Sequence, residues 1–338
     1  MNLNNHHSCN HLNFNELEYN HHCCNHLKIN KKKKVIDPSK TLTLRRAFER
    51  DMIRRFDELD NEIYKLIVKD DAFGLDISNR ELKFHSPSRQ YAFRRSDEKV
   101  LLFKKWLKEM SKKGILEYTK SGKISDGQSF WADIYISSAY KKGIQRGIAE
   151  IKKGIKDISD PKLKKKYYES FKQKIPFSDD INASINAMFF SPTHSDSVAL
   201  IYTRVFTDLE GITEQMSSKM SSILAQFLVE GKSPRDAARE LSRQLEIFKN
   251  RARTIARTEM IRAHHEANIN VYEQAGIEEV KIQAEWVATK DDRVCLKCSS
   301  LDGRIFSLEE IRPMIPVHPN CRCAAVPVIN ETMKNKRS

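Results

Sequence analysis

Four cysteines and a histidine crowd into a short stretch near the end of this chain, reading Cys295-Leu-Lys-Cys298, nineteen residues, then His318-Pro-Asn-Cys321-Arg-Cys323. No cysteine lies between positions 25 and 294. A C-x2-C turn presents two sulfurs to one point, and H-x2-C offers a second clamp; thiolates and imidazoles are the donors that zinc prefers, four at a time in a tetrahedron. Five candidates therefore compete for four positions: Cys295, Cys298, His318, Cys321 and Cys323. The same residues would also serve as two disulfides or as free thiols in a small core. Disulfide scaffolds are small, secreted and cysteine-dense. A 338-residue chain with an Asn- and His-rich start and no apolar leader points instead to a cytosolic, metal-binding protein, with zinc in a structural role.

The first thirty residues hold a second Cys/His pattern. Asn5-His-His-Ser-Cys-Asn-His-Leu returns fifteen residues later as Asn20-His-His-Cys-Cys-Asn-His-Leu. Each copy carries a Cys-x-His, so Cys9, His11, Cys24 and His26 are candidates for a second metal site. The stretch is polar and has little to pack, so a disordered tail is the competing reading. Lys31 to Lys34 close it with a four-lysine run, which reads as a solvated linker ahead of a nucleic-acid clamp.

Between these ends the pattern is helical. Glycine and proline number only eleven and ten. Leu44, Phe48, Met52, Phe56 and Leu59 recur at threes and fours, which predicts a helix over about 41–69. Further helices are expected over about 97–116, 130–158, 198–228 and 251–274, with a helix restart at Ser233-Pro234 after a stop at Gly231. Gly143, Gly147 and Gly154 on an otherwise good helix predict close packing against a neighbour. Residues 176–196, with Pro176 and Pro192 and few periodic apolar residues, read as a linker. After Gly276 the period changes to two: Val280, Ile282, Ala284, Trp286 and Ala288 alternate with polar residues as in a half-buried strand. A short helix near 308–312 and a strand near 324–329 complete a small α+β unit. The expected fold is thus mainly α with a small C-terminal α+β zinc-binding-like domain. The segments are a tail (1–34), a helical basic region (35–175), the linker (176–196), a long-helix region (197–275), the Cys/His domain (276–330) and a basic tail (331–338).

Charge bears on partners. Lysine and arginine total 59 against 45 acids, a net charge of +14. Such an excess favours anionic partners, double-stranded DNA first, without dictating a fold. Twelve cationic residues against four acids lie between Lys141 and Lys174. Lys152, Lys153, Lys164 and Lys165 in that strip, with Arg253 and Arg257 on the later helix, are the candidate phosphate contacts. An exposed helix face explains the same strip. No apolar run of membrane-spanning length is present, so no membrane partner is expected.

One enzymatic reading competes. His264-His265-Glu266 contains His-x-Glu, and Cys295-x-x-Cys298 follows after 28 intervening residues, the order found in zinc nucleobase deaminases. Position 294 is Val where that motif has Pro, His264 lies inside a helix, and His318, Cys321 and Cys323 go unused. A DNA-binding zinc protein is the other alternative.

Several motifs together resemble the phage Mu F-like head morphogenesis (minor head) proteins. They are Arg257-Thr-Glu259 running on through His264-His-Glu-Ala267, Glu285-Trp286, Asp291-Asp-Arg-Val-Cys295-x-x-Cys298, Leu301-Asp-Gly303 and His318-Pro-Asn-Cys321-Arg-Cys323. The resemblance covers about residues 197–327, and the helical start at Leu44 is also similar to longer members. It implies a non-enzymatic minor head protein of a tailed phage or prophage, made beside the portal protein and packed in few copies. Its partners would be the portal and other head proteins, with contact to DNA during packaging or ejection. It would reside in the virion and, during assembly, in the host cytoplasm.

Overall fold

The computed structural model describes residues 37–75, 96–119, 129–175, 180–276 and 280–331. The molecule is built around two long helices. Helix α1 (Leu42–Tyr64) runs into a π-helical turn, Lys65–Lys69. It buries Phe48, Met52, Phe56, Leu59 and Ile63, the stripe that its threes-and-fours spacing demands. Helix α2 (Ser96–Gly114) and a minimal antiparallel pair, β1 (Tyr118–Thr119) and β2 (Ser129–Phe130), lead to helix α3 (Asp133–Lys156). Helices α4 (Pro161–Lys174) and α5 (Ile181–Phe189) each start on an aspartate N-cap: Asp160 accepts from Lys162 N, and Asp180 from Asn182 N.

Helix α6 (Pro192–Glu230) has 39 residues and α7 (Pro234–Ala275) has 42. At 1.5 Å per residue each is about 60 Å long. Gly231 ends α6 in the left-handed conformation at φ +64°, and Ser233 caps α7, with Pro234 at its first position. Helix α7 is the spine: α1, α3 and α6 all pack on it, and α2 packs on α6. It replaces the expected break before Arg251 with one continuous helix. No glycine or proline stands between 235 and 275, and Ala237, Ala238, Leu241, Leu245 and Phe248 are buried along its first half. The stretch read as a linker is also largely helical. Ile185, Met188 and Phe189 of α5 are buried, α5 packs on α3, and Pro192 opens α6 where it seemed a breaker.

The chain then builds a three-stranded antiparallel sheet of order β4-β3-β5, from β3 (Val280–Val287), β4 (Ile305–Ser307) and β5 (Ala324–Glu331). Ala284 faces Phe306 on one side and Pro327 on the other. Ile282, Ala284, Trp286 and Ala288 are buried, so the expected period of two holds. Between strands lie α8 (Leu296–Leu301), α9 (Leu308–Ile311) with its Ser307/Glu310 capping box, and a 3-10 turn, Arg312–Met314. Strand β5 packs on α3 and α7, so the sheet is moored to the helical body. Helical residues dominate and the three-stranded sheet lies at the C-terminal end, a mainly α protein with a small α+β region around its Cys/His cluster. Among the described residues no helix is long and apolar enough to cross a membrane.

Candidate metal centre

Strand β3 leads through the turn Asp291-Asp292-Arg293 to Cys295, the N-cap of α8. There the Cys295 sulfur accepts the backbone N–H of Cys298 at 3.4 Å, which folds the C-x2-C turn so that both sulfurs face one point. Arg322 grips Asp291 with both arms of its guanidinium, at 2.5 and 2.8 Å. That bidentate pair ties the turn before the first clamp to the residue between Cys321 and Cys323. It also holds the Asp291 carboxyl down at about 2, the Arg322 hydrogen bond being the main cause. Asn320, at φ +61°, donates its backbone N–H to Thr258 Oγ1 of α7 at 3.0 Å, anchoring the second clamp to the spine.

The result is two overlapping triads. Cys295, Cys298 and His318 lie with their donor atoms within 4.8 Å of one another, and so do Cys298, Cys321 and Cys323. His318 Nε2 is 3.2 Å from the Cys295 sulfur and 3.1 Å from that of Cys298. Its Nδ1 sits 2.8 Å from the Pro319 carbonyl. Donating Nδ1–H to that carbonyl leaves the Nε2 lone pair facing the sulfurs, the orientation a metal-bound imidazole needs. Cys298, Cys321 and Cys323 are buried, while Cys295 is exposed, and all four are free thiols.

The donor set fits a soft tetrahedral ion: thiols and one imidazole, oriented by a backbone N–H and a backbone carbonyl. Electrostatics make the same point. A hydrogen bond from the Cys323 thiol is the main cause that lowers Cys321 to about 5. Burial is the main cause that pushes Cys298 up to about 12. Cys323 is raised by its hydrogen bond to Cys321 and by burial. Without an ion, the three buried sulfurs thus share protons, with Cys321 favoured as the thiolate and Cys298 and Cys323 as thiols. A divalent cation ends that sharing, because it deprotonates every thiol that ligates it. Cys298, common to both triads, is the hinge of either four-donor set. The candidate second site at Cys9, His11, Cys24 and His26 lies outside the described residues.

The deaminase pattern does not assemble. His264 and His265 are buried within α7. His265 Nε2 contacts the Ile311 carbonyl at 3.1 Å, and Asn268 Nδ2 lies 3.4 Å from His264 Nδ1. Glu266 pairs with Arg312, which also reaches Glu273 at 2.7 Å and Asn270 at 3.0 Å. Among the described residues, neither His264 nor Glu266 belongs to a group able to hold an ion. Arg312 was not foreseen from sequence, since its partners stand 46, 42 and 39 residues away.

The candidate phosphate contacts scatter. Arg257 is clamped by Glu49, at 2.5 Å from Nε and 2.6 Å from Nη2. Arg253 Nη1 bonds Asn250 at 2.9 Å, and its Nε is buried without a partner. Lys164 reaches the Lys156 carbonyl at 2.5 Å. Lys152 is half-buried and already engaged, while Lys153 and Lys165 are exposed.

The family model described as Phage Mu protein F like protein matches residues 218–326. Comparison with curated proteins and with solved structures gives no match. The matched stretch is about a third of the chain. It contains the whole of α7, the strand β3, both Cys/His clamps and the Asp291–Arg322 pair. Residues 218–326, from the last third of α6 to the third residue of β5, therefore belong to the phage Mu F-like family.

Proposed function

We propose that this chain is a structural protein of head morphogenesis in a tailed phage or prophage, its C-terminal lobe stapled by one zinc ion. The observation that carries the reading is the match over 218–326, inside which both Cys/His clamps fall. Four donors drawn from Cys295, Cys298, His318, Cys321 and Cys323 hold the ion. Bound there, zinc supplies structural cross-linking and no open coordination position for chemistry. The clamps are separated by nineteen residues, so one ion closes the loop that carries β4, α9 and the 3-10 turn.

No catalytic role is assigned to any residue. The finer parts of the proposal are a place beside the portal, contact with other head proteins, and sequence-independent contact with DNA during packaging or ejection. The net charge of +14 supports the last of these. The test is disruption of the reading frame in the phage or prophage that encodes it, with the purified particles analysed by mass spectrometry. The expected result is that the chain is a component of wild-type heads and that its loss yields defective or non-infectious particles. Normal infectious particles that never contained the chain would refute the proposal.

A further inference from the structure

A cleft of about 570 Å³ opens where the start of α1, the middle of α7 and the Cys/His loops meet. Its walls carry five arginines, Arg45, Arg46, Arg257, Arg293 and Arg322, against two carboxylates, Asp37 and Glu49. Three of the five are held rigidly by acids: Arg45 by Asp37 at 2.7 Å, Arg257 by Glu49, and Arg322 by Asp291. A guanidinium has five N–H donors, so each of these keeps some to spend. The other two are freer. Arg46 is exposed and makes no ion pair with a described residue, and Arg293 reaches only the already shared Asp291, at 3.3 Å. Arg45 is 5% exposed, yet its Nε has no hydrogen-bond partner. Buried donors in native proteins nearly always have an acceptor, so this N–H is left over for a water or a bound anion.

We infer that this cleft binds phosphate oxyanions, with Arg46 and Arg293 as the mobile contacts and Arg45, Arg257 and Arg322 as the fixed ones. Arginine forks match phosphate oxygens two at a time, and rigidly held forks lose little entropy on binding. Among the described residues, Leu42 is the only apolar residue of the lining, and no aromatic residue stands there. A docked protein segment needs apolar or aromatic anchors to hold it. Nucleobases need an aromatic face to stack on. The lining provides neither, so the ligand is read by its phosphates alone. Two sources supply that chemistry, a nucleic-acid backbone and a free phosphate or pyrophosphate. The first rests on the DNA contact proposed above; the oxyanion site stands on the cleft itself.

The experiment uses the full chain, a fluorescent mixed-sequence DNA duplex, and inorganic pyrophosphate. Wild type is compared with Arg46→Ala/Arg293→Ala and with Arg239→Ala/Arg243→Ala, which removes the same charge from exposed positions of α7 outside the cleft. The cleft variant is expected to bind the duplex at least about tenfold more weakly, with a salt dependence shallower by about two phosphate contacts, while the control stays within about twofold. Thermal stabilisation by pyrophosphate should disappear in the cleft variant and persist in the control. Pyrophosphate binding that needs Arg46 and Arg293, without any duplex binding, supports the site and identifies the small oxyanion as its source. A cleft variant that binds both probes like wild type overturns the inference, as does a wild type that binds neither. Tighter capture of a polyglutamate peptide than of either phosphate probe, through the same arginines, also overturns it.

Discussion

Replacing Gly143 by alanine is the sharpest test of how α3 sits on the α7 spine. A Cβ built at Gly143 comes 2.4 Å from the His264 carbonyl oxygen and 2.7 Å from the Ala267 Cβ. Neither obstacle can rotate away, since one is backbone in the middle of α7 and the other is a methyl fixed to it. Ordinary carbon–oxygen contact lies near 3.4 Å, so the helices must part by about 1 Å and lose close contacts along their length. Overpacking of this kind costs about 1–3 kcal/mol, and the rigid backbone obstacle puts it at the upper end. Alanine returns up to about 1 kcal/mol through its helix propensity. The net expectation is a loss of about 1–2 kcal/mol. Gly211 supplies the internal control: it lies in α6 with nothing within 4 Å of its Cβ position, so Gly211→Ala should gain about 0.5–1 kcal/mol. Gly154→Ala should fall between them, because its closest obstacle is the movable Ile329 Cδ1 at 2.6 Å. Calorimetric melting of the three variants beside wild type reads the ranking. A Gly143→Ala protein as stable as Gly211→Ala would refute the packing of α3 on α7.

Other perturbations follow from the same structure. Burial lowers His194 and His265 to about 4 and His264 well below its ordinary 6.5, so the folded state binds fewer protons than the unfolded one across that interval. Their contribution is present in full above pH 6.5 and is lost as pH falls toward 4, at up to about 3 kcal/mol for each of His194 and His265, with His264 acting in the same direction. Melting scanned from pH 7.5 to 4.5 in excess chelator should show the fall, and a flat profile down to pH 5 would contradict it. Arg312→Ala leaves Glu266 and Glu273 facing each other without their shared cation, and should cost about 2–3 kcal/mol. Adding Glu266→Gln should recover part of that loss, and a double mutant no better than the single would count against the pairing. Incubation with cytosine- or adenine-containing single strands should give no deamination; turnover abolished by Glu266→Gln would promote the enzymatic alternative.

Much of this was legible in the sequence because local periodicity carries it. The Phe48–Leu59 stripe, the alternation through Ile282, Ala284 and Trp286, and the glycine spacing on α3 each name a buried face without knowledge of its partner. The first half of α7 was harder to read, since Ala237 and Ala238 bury little area and weaken the apolar signal. Pro176 and Pro192 pulled the reading of 176–196 toward a linker. Proline breaks a helix from within but opens one at its first position, and Pro192 occupies that position behind Ser191. The Cys/His donors were readable because short spacings build each clamp. What brings the clamps together was not, because Asp291–Arg322 and Thr258–Asn320 are 31 and 62 residues apart in the chain. The arginine cleft has the same origin, gathered from α1, α7 and two loops by the fold alone.

A structural zinc ion in the Cys/His cluster should show itself in metal content measured together with stability. Purified full-length protein should contain about one zinc per chain by elemental analysis, and a strong chelator should lower its melting temperature as the metal leaves. Cys298→Ser, which removes the donor common to both triads, should lose the metal and melt at the temperature of the chelated wild type. Protein that carries no zinc, takes none up from solution, and melts identically with and without chelator would rule out a structural metal at these residues.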